Sequence, residues 1–303
     1  LALYSGADLE ARPTPSRGRA TAYEIPKYTE SPKNVKNPAH LKQYKHYLII
    51  AVLLSAAAAL LPAETDISRA EGRRILERVD RLVSYEERDF SARYTVTQQR
   101  PGQGNSVTKM LMFRRDSEDT YTIIIEEPPQ DRGKGYLKIG SNLWLYDPAD
   151  RRFTATSAED RFQNTNARNS DFTKSTLSED YRIVDHSQAE LGQYQTDVYE
   201  LEATTDDVTF PQMKIWIDQN NLVRKFEDYS ASGRHMRTTA IPSYKQLGEQ
   251  YVPVHIVIQD ELRGRQVDGQ FKHERTVITV SNASFQELPD MVFTRSYLER
   301  VSR

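Results

Sequence analysis

The stretch that decides the fold runs from Arg132 to Tyr181: RGKGYLKIGSNLWLYDPADRRFTATSAEDRFQNTNARNSDFTKSTLSEDY. Its first half reads as three short strands, Gly135–Ile139, Asn142–Tyr146 and Arg152–Ala155. They are divided by Gly140-Ser141 and by Asp147-Pro148-Ala149-Asp150, pairs that reverse the chain because Gly tolerates positive φ and Pro pre-sets a turn angle. The second half is polar and poor in large aliphatics. It reads as a long loop with one helical turn near Asp171–Glu179. Loops of this length inside a folded domain usually carry function, so a twisted hairpin followed by a polar flap predicts a cover over something.

Working outward toward the N-terminus, Ser68-Arg69-Ala70-Glu71 is a capping box, in which Ser and Glu side chains satisfy backbone N–H groups at a helix start. Ile75, Val79, Leu82 and Val83 then recur at helical spacing. A helix over Ser68–Glu86 is predicted to lie against a sheet. From Phe90 the period changes to two. Phe90–Val96, Lys109–Arg114, Tyr121–Ile125, Arg182–Asp185, Asp197–Ala203, Gln212–Ile217, Val223–Tyr229, Arg237–Ile241, Val252–Ile258 and Thr276–Val280 all read as strands. Short connections between them predict antiparallel neighbours. With the hairpin block this gives roughly thirteen strands, more than a flat open sheet carries comfortably. The sheet must curl. The expected class is mainly β with some α: a curved antiparallel sheet with a helix and a lid segment across its mouth.

The same stretch resembles a known family. The residues Pro129, Arg132, Gly133, Gly135, Tyr136, Leu137, Gly140, Leu143, Trp144, Tyr146, Pro148, Phe153, Ser170, Asp171, Phe172 and Tyr181 carry a pattern similar to the LolA-like outer-membrane lipoprotein-sorting proteins, and Leu288–Val301 resembles that family's C-terminal end. The resemblance covers about residues 65–303. It implies an unclosed half-barrel, a periplasmic location, lipoprotein acyl chains or another lipid as ligand, and two partners: a lipoprotein-releasing ABC transporter and an outer-membrane acceptor. The chain is longer than a typical LolA chaperone, which leaves the cargo open.

Tyr47–Leu61 is an apolar run preceded by Lys42 and Lys45 and followed by Leu61-Pro62-Ala63. A basic flank, a short apolar core and a small-residue site make 41–63 a predicted signal peptide. The alternative is an inner-membrane anchor over 47–61, but that run is shorter than the roughly 20 residues needed to span hydrocarbon. Residues 1–40 read as a mis-assigned start or as a disordered extension, and 64–303 as one domain. Residues 1–63 hold eight Lys/Arg and four Asp/Glu, leaving 33 against 39 beyond them. This mildly acidic balance argues against nucleic acid as a partner.

Recognisable catalytic patterns are missing. The chain has no Cys, which removes thiol nucleophiles, thiolate metal sites and a lipobox. His186, His235, His255 and His273 fall in no metal-ligand spacing. There is no G-x-S-x-G, and Arg132-Gly-Lys-Gly135 lacks the spacing of a phosphate loop. No cofactor, metal or enzyme activity is expected. What stands out is apolar. Tyr94, Val96, Met110, Met112, Tyr121, Ile123, Ile125, Leu143, Leu145, Ile215 and Ile217 share faces within their strands, and Trp144 adds aromatic area. In a closed barrel such side chains fill a core; in an open one some line a ligand cavity, and Met adapts to irregular acyl chains. Arg132 and Phe172 are the expected lid contacts, with Asn164–Glu179 and the Ser68–Glu86 helix as the lid. The expected function is a periplasmic carrier of acyl chains. An RseB-like sensory module, working through protein contacts in the cell envelope, is the alternative.

Overall fold

Period-two alternation becomes a single sheet. The computed structural model describes residues 67–302; the signal-peptide and extension readings over 1–63 lie outside them. Thirteen strands follow in chain order: β1 (Phe90–Arg100), β2 (Gly104–Arg115), β3 (Thr120–Glu127), β4 (Gly135–Ile139), β5 (Asn142–Asp147), β6 (Arg152–Thr156), β7 (Tyr181–Leu191), β8 (Tyr194–Ala203), β9 (Gln212–Asp218), β10 (Val223–Tyr229), β11 (His235–Leu247), β12 (Gln250–Val267) and β13 (Gln270–Ser284). Their order across the sheet is β6-β5-β4-β3-β2-β1-β13-β12-β11-β10-β9-β8-β7. Each strand pairs antiparallel with its neighbour, and β1 pairs with β13 at the centre. The sheet is curved and not closed into a barrel, with β6 and β7 as its two free edges.

That topology gives the polar run a definite place. Residues 157–180 leave edge strand β6 and enter edge strand β7. The flap is therefore the connection between the two rims of the half-barrel. It holds a 3-10 turn at Asn169–Phe172 and a short helix α2 (Leu177–Asp180), rather than one helical turn. The N-terminal helix α1 (Arg69–Val83) begins as its sequence dictates, with Ser68 Oγ accepting from the Glu71 N–H at 3.2 Å.

Register fixes which side chains share a face, because directly opposed residues point the same way. Tyr94 opposes Met110, Met110 opposes Ile125, Met112 opposes Ile123, and Ile123 opposes Tyr136. In the other direction Val96 opposes Ile278, Ile258 opposes Thr239, Thr239 opposes Phe226, and Phe226 opposes Ile215. One concave face thus runs continuously from β4 to β9. Two covers divide it. Phe162, Ala167 and Phe172 of the flap pack with Tyr94, Met110, Met112 and Ile123. Leu76 and Val79 of α1 pack with Tyr199, Leu201, Ile215 and Ile217. On the convex face a C-terminal helix α3 (Arg295–Val301) seats Leu298 against Ile124, Leu137 and Tyr146.

The longest strands exceed their sequence expectations. β12 extends to Val267 and β13 starts at Gln270, well outside Val252–Ile258 and Thr276–Val280. Near the hairpin tip the residues are mostly exposed on both faces, so no alternation marks them and only the backbone ladder holds them together. Among the described residues no helix is long and apolar enough to cross a membrane.

Candidate functional site: a cavity beneath two covers

Where the flap and α1 meet, neither fills the concave face completely. A cavity of about 260 Å³ remains, floored by Phe226, Ile256, Ile258 and Ile278 and roofed by Val79, Val83, Phe172 and Leu177. The covers are latched by charge rather than by apolar packing alone. Arg161 of the flap donates Nη2 to Asp260 on β12 at 2.6 Å. Asp171 of the flap accepts from Arg237 Nη1 on β11 at 2.8 and 2.9 Å. The flap backbone is also held: Asn166 N–H donates to Thr276 Oγ1 at 2.8 Å and to Gln98 Oε1 at 3.1 Å.

The two covers are tied to each other. Asp80 near the end of α1 accepts from Leu177 N–H at 3.1 Å, Ser178 N–H at 2.8 Å and Ser175 Oγ at 2.6 Å. A carboxylate at the start of a helix stabilises unpaired N–H groups, so α1 supplies the cap that α2 lacks.

Two buried arginines stand behind the roof. Arg114 makes a fork to Asp116, Nε to Oδ1 at 2.6 Å and Nη2 to Oδ2 at 2.7 Å, beneath the Tyr85 ring. Burial opposes its charge, but Asp116 more than compensates, so its pKa is raised. Arg237 sits between Asp171 and Asp228, which likewise outweigh its desolvation. Burial pushes the Asp228 carboxyl above the ordinary carboxylate range, with Arg237 opposing that shift. The Tyr94 hydroxyl is pushed up to about 12 by burial. The two arginines are held in place by pairing with Asp116, Asp171 and Asp228, and they stand at the edge of a mainly apolar space.

With this geometry in view, three comparisons place the chain. The profile of a family described as "uncharacterized protein" matches residues 117–300. A LolA superfamily protein from Nitrosomonas europaea is 22% identical, with 75% of this chain and 98% of that one covered at a TM-score of 0.62. A domain from Vibrio parahaemolyticus, described as an outer-membrane lipoprotein-sorting protein, is 19% identical, covering 77% of this chain and 100% of its own at a TM-score of 0.66. A DUF1329 family protein from Desulfovibrio piger is 17% identical, covering 76% and 98% at a TM-score of 0.64. The chain belongs to that uncharacterized family, and its fold is LolA-like. A search of curated proteins returned no match.

Within the LolA-like sheet the residues singled out from sequence fall into five places. Tyr94 and Phe172 line the cavity, their rings 6.1 Å apart. Val96, Met110, Met112, Tyr121, Ile123, Ile125 and Leu143 lie on the same concave face but are sealed under the flap, with Leu145 half-buried beside them. Ile215 and Ile217 lie beneath α1. Trp144 stands between Leu143 and Leu145, so the pleat turns it to the convex face, where Arg295 covers its ring at 4.4 Å. Arg132 donates Nε to the Glu126 carbonyl at 3.0 Å and lines an open groove with Glu127 and Tyr297, apart from the flap.

The latch residues Arg161, Asp260, Arg237 and Asp228 escaped the sequence reading. A signal for two of them existed. Asp228 follows Phe226 by two residues and Arg237 precedes Thr239 and Ile241 by two and four. An acid and a base placed on the apolar parity of adjacent strands are expected to pair. Among the described residues no cluster of three or more His, Cys, Asp or Glu is arranged to hold a metal ion.

Proposed function

We propose that this protein is a non-enzymatic carrier of the cell envelope that takes an apolar chain, of a lipoprotein or another amphiphile, into its concave face. The observation that carries the reading is the continuous apolar face closed by two covers, a helix packed on it and a flap that adds ion pairs and hydrogen bonds to its packing. A core sealed permanently would gain more from apolar packing alone, because breaking even isolated pairs costs little against a buried hydrophobic layer. Covers held by a few polar latches lift as units. The apolar side chains beneath them, Met110, Met112, Ile123 and Ile125 among them, are then the surface offered to the ligand. Each CH₂ buried there contributes about 0.8 kcal/mol.

The LolA-like fold of the lipoprotein-sorting domain from Vibrio parahaemolyticus supports the same class of ligand. By that resemblance the donor is a lipoprotein-releasing transporter, the acceptor lies at the outer membrane, and the carrier works in the periplasm after export. Native mass spectrometry of the protein isolated from its own cell envelope tests this directly. Co-purifying acylated species are expected. A protein that is always empty, and that takes up no lipid on incubation with a detergent-solubilised envelope extract, sinks the reading.

A further inference from the structure

The cavity walls are mainly apolar but include Arg114, Asp171, Lys174 and Asn221, and at one corner Asp228 on β10 meets Arg237 and Thr239 on β11. Asp228 is 0% exposed, and its Oδ2 accepts from Arg237 Nε at 2.6 Å. Among the described residues its Oδ1 has no hydrogen-bond partner, and neither has Oγ1 of Thr239. Register pairs Asp228 with Arg237 and Phe226 with Thr239, so Asp228 and Thr239 are diagonal neighbours on one face. Such neighbours lie about 7–8 Å apart along the backbone, a span that one polar head group can bridge between two side chains. The other buried side-chain atoms without partners, on Tyr121, Asn166, Asn169 and Ser302, belong to residues outside the cavity lining.

Leaving a buried polar atom unpaired is destabilising, and native proteins keep such atoms chiefly where something else completes them. Here two occur on the same wall of a mainly apolar cavity. A carboxylate oxygen accepts hydrogen bonds, and a hydroxyl accepts and donates one. Of the cations in the lining, Arg237 is engaged by Asp171 and Asp228, Arg114 by Asp116 and Lys174 by Glu86. An anionic group would meet the Asp228 carboxylate with no free cation to offset it. A hydroxyl or ammonium group would complete both orphaned atoms.

We propose that this corner recognises a hydrogen-bond-donating head group, hydroxyl or ammonium, on an amphiphile whose single tail lies along Phe226, Ile256, Ile258 and Ile278. This rests on the carrier reading and narrows it to a ligand class. Only a tail threaded with its polar end toward β10 and β11 satisfies the corner, so the same atoms set the ligand's direction in the cavity.

The test compares two probes with the same tail in the full chain: monomyristoylglycerol, which carries two hydroxyl donors, and methyl myristate, which carries none. Affinities are measured by isothermal titration for the wild type and for Thr239→Val, which loses no internal hydrogen bond and keeps a β-branched strand residue. The wild type binds monomyristoylglycerol about tenfold more tightly. T239V narrows that preference, read as the ratio of the two affinities within each protein, to about threefold or less. Equal affinities in the wild type overturn the proposal, as does a preference that survives T239V intact. In either case methyl myristate still binds and the carrier reading stands. Failure of both probes to bind the wild type removes both readings together.

Discussion

At Gly135 an added methyl group would lie 2.6 Å from Leu298 Cδ2 and 2.8 Å from the carbonyl oxygen of Ile123. The leucine can rotate away, but the carbonyl is fixed by the β3–β4 ladder, in which Ile124 opposes Gly135. The glycine of the RGKG segment is therefore where α3 comes down onto the sheet, and its role is packing. Gly135→Ala is expected to lower stability by about 1–3 kcal/mol, seen as an earlier urea midpoint. A midpoint unchanged from wild type would show that α3 sits less closely than described. Asp89 is the second residue whose role is legible in its contacts. It accepts from Arg115 Nε at 2.8 Å, Arg115 Nη2 at 2.9 Å and Leu288 N–H at 2.7 Å, pinning the start of β1 to the C-terminal segment. The Arg115 hydrogen bond, opposed by burial, holds its carboxyl below the usual range. A group with a lowered folded pKa contributes its stability above the unfolded value, about 3.9, and loses it as pH falls through the folded one. Asp89→Asn should therefore be less stable than wild type near neutrality, and the gap should close as pH drops below about 4. Denaturant melts over that range decide it, and a gap that stays constant in acid would refute the assignment.

Among the elements, the flap has the largest claim on function. It spans the two rims of the sheet, and beside the packing of Phe162, Ala167 and Phe172 its grip includes Arg161–Asp260, Asp171–Arg237 and the Asn166 backbone contacts. Removing the first two by Arg161→Ala with Asp171→Asn should lower the free energy of flap opening by about 1–3 kcal/mol. Hydrogen exchange at Asn166, whose N–H donates to Thr276 and Gln98 on the sheet, would then speed up about tenfold or more, with β1, β2 and β13 still protected. Equal loss of protection throughout would mean that flap and sheet open only together. Elements of this kind differ in how much of them the sequence shows. The hairpin β4–β5 and helix α1 are local, announced by turn residues, a cap and a period, so Arg132–Tyr181 is enough to place them. The flap's polar character is visible in composition, but its latches pair residues separated by 66 and 99 positions. Such partners become neighbours only once the sheet has its register. Trp144 makes the same point in reverse, since its face follows from the pleat while its cover, α3, comes from the far end of the chain.

For the whole molecule the decisive fact is that the first and last strands pair at the sheet's centre while the flap joins its edges. The half-barrel is thus held from the middle, and its rims are free to respond to what lies between them. The residual cavity, about 260 Å³, falls just under the roughly 300–1,000 Å³ of established ligand pockets. A long tail fits only if Phe162 and Phe172 leave the concave face. Closed and loaded forms are then two states with the same apolar surface covered by different groups, and a ligand shifts the population by its differential affinity for them. This has a consequence that a rigid, preformed pocket does not share. At a ligand concentration about 100 times Kd, binding should add about 2.7 kcal/mol to global stability. For a sheet domain of this size that raises Tm by about 5–10 °C. The flap amide at Asn166 should meanwhile exchange faster than in the empty protein, because displacing the flap separates it from Thr276 Oγ1 and Gln98 Oε1 on the sheet. Thermal denaturation and hydrogen exchange on one loaded sample test the pair of effects together. Faster flap exchange with a higher Tm supports displacement of the cover, and a higher Tm with slower flap exchange would show instead that the tail enters beneath a lid that stays shut.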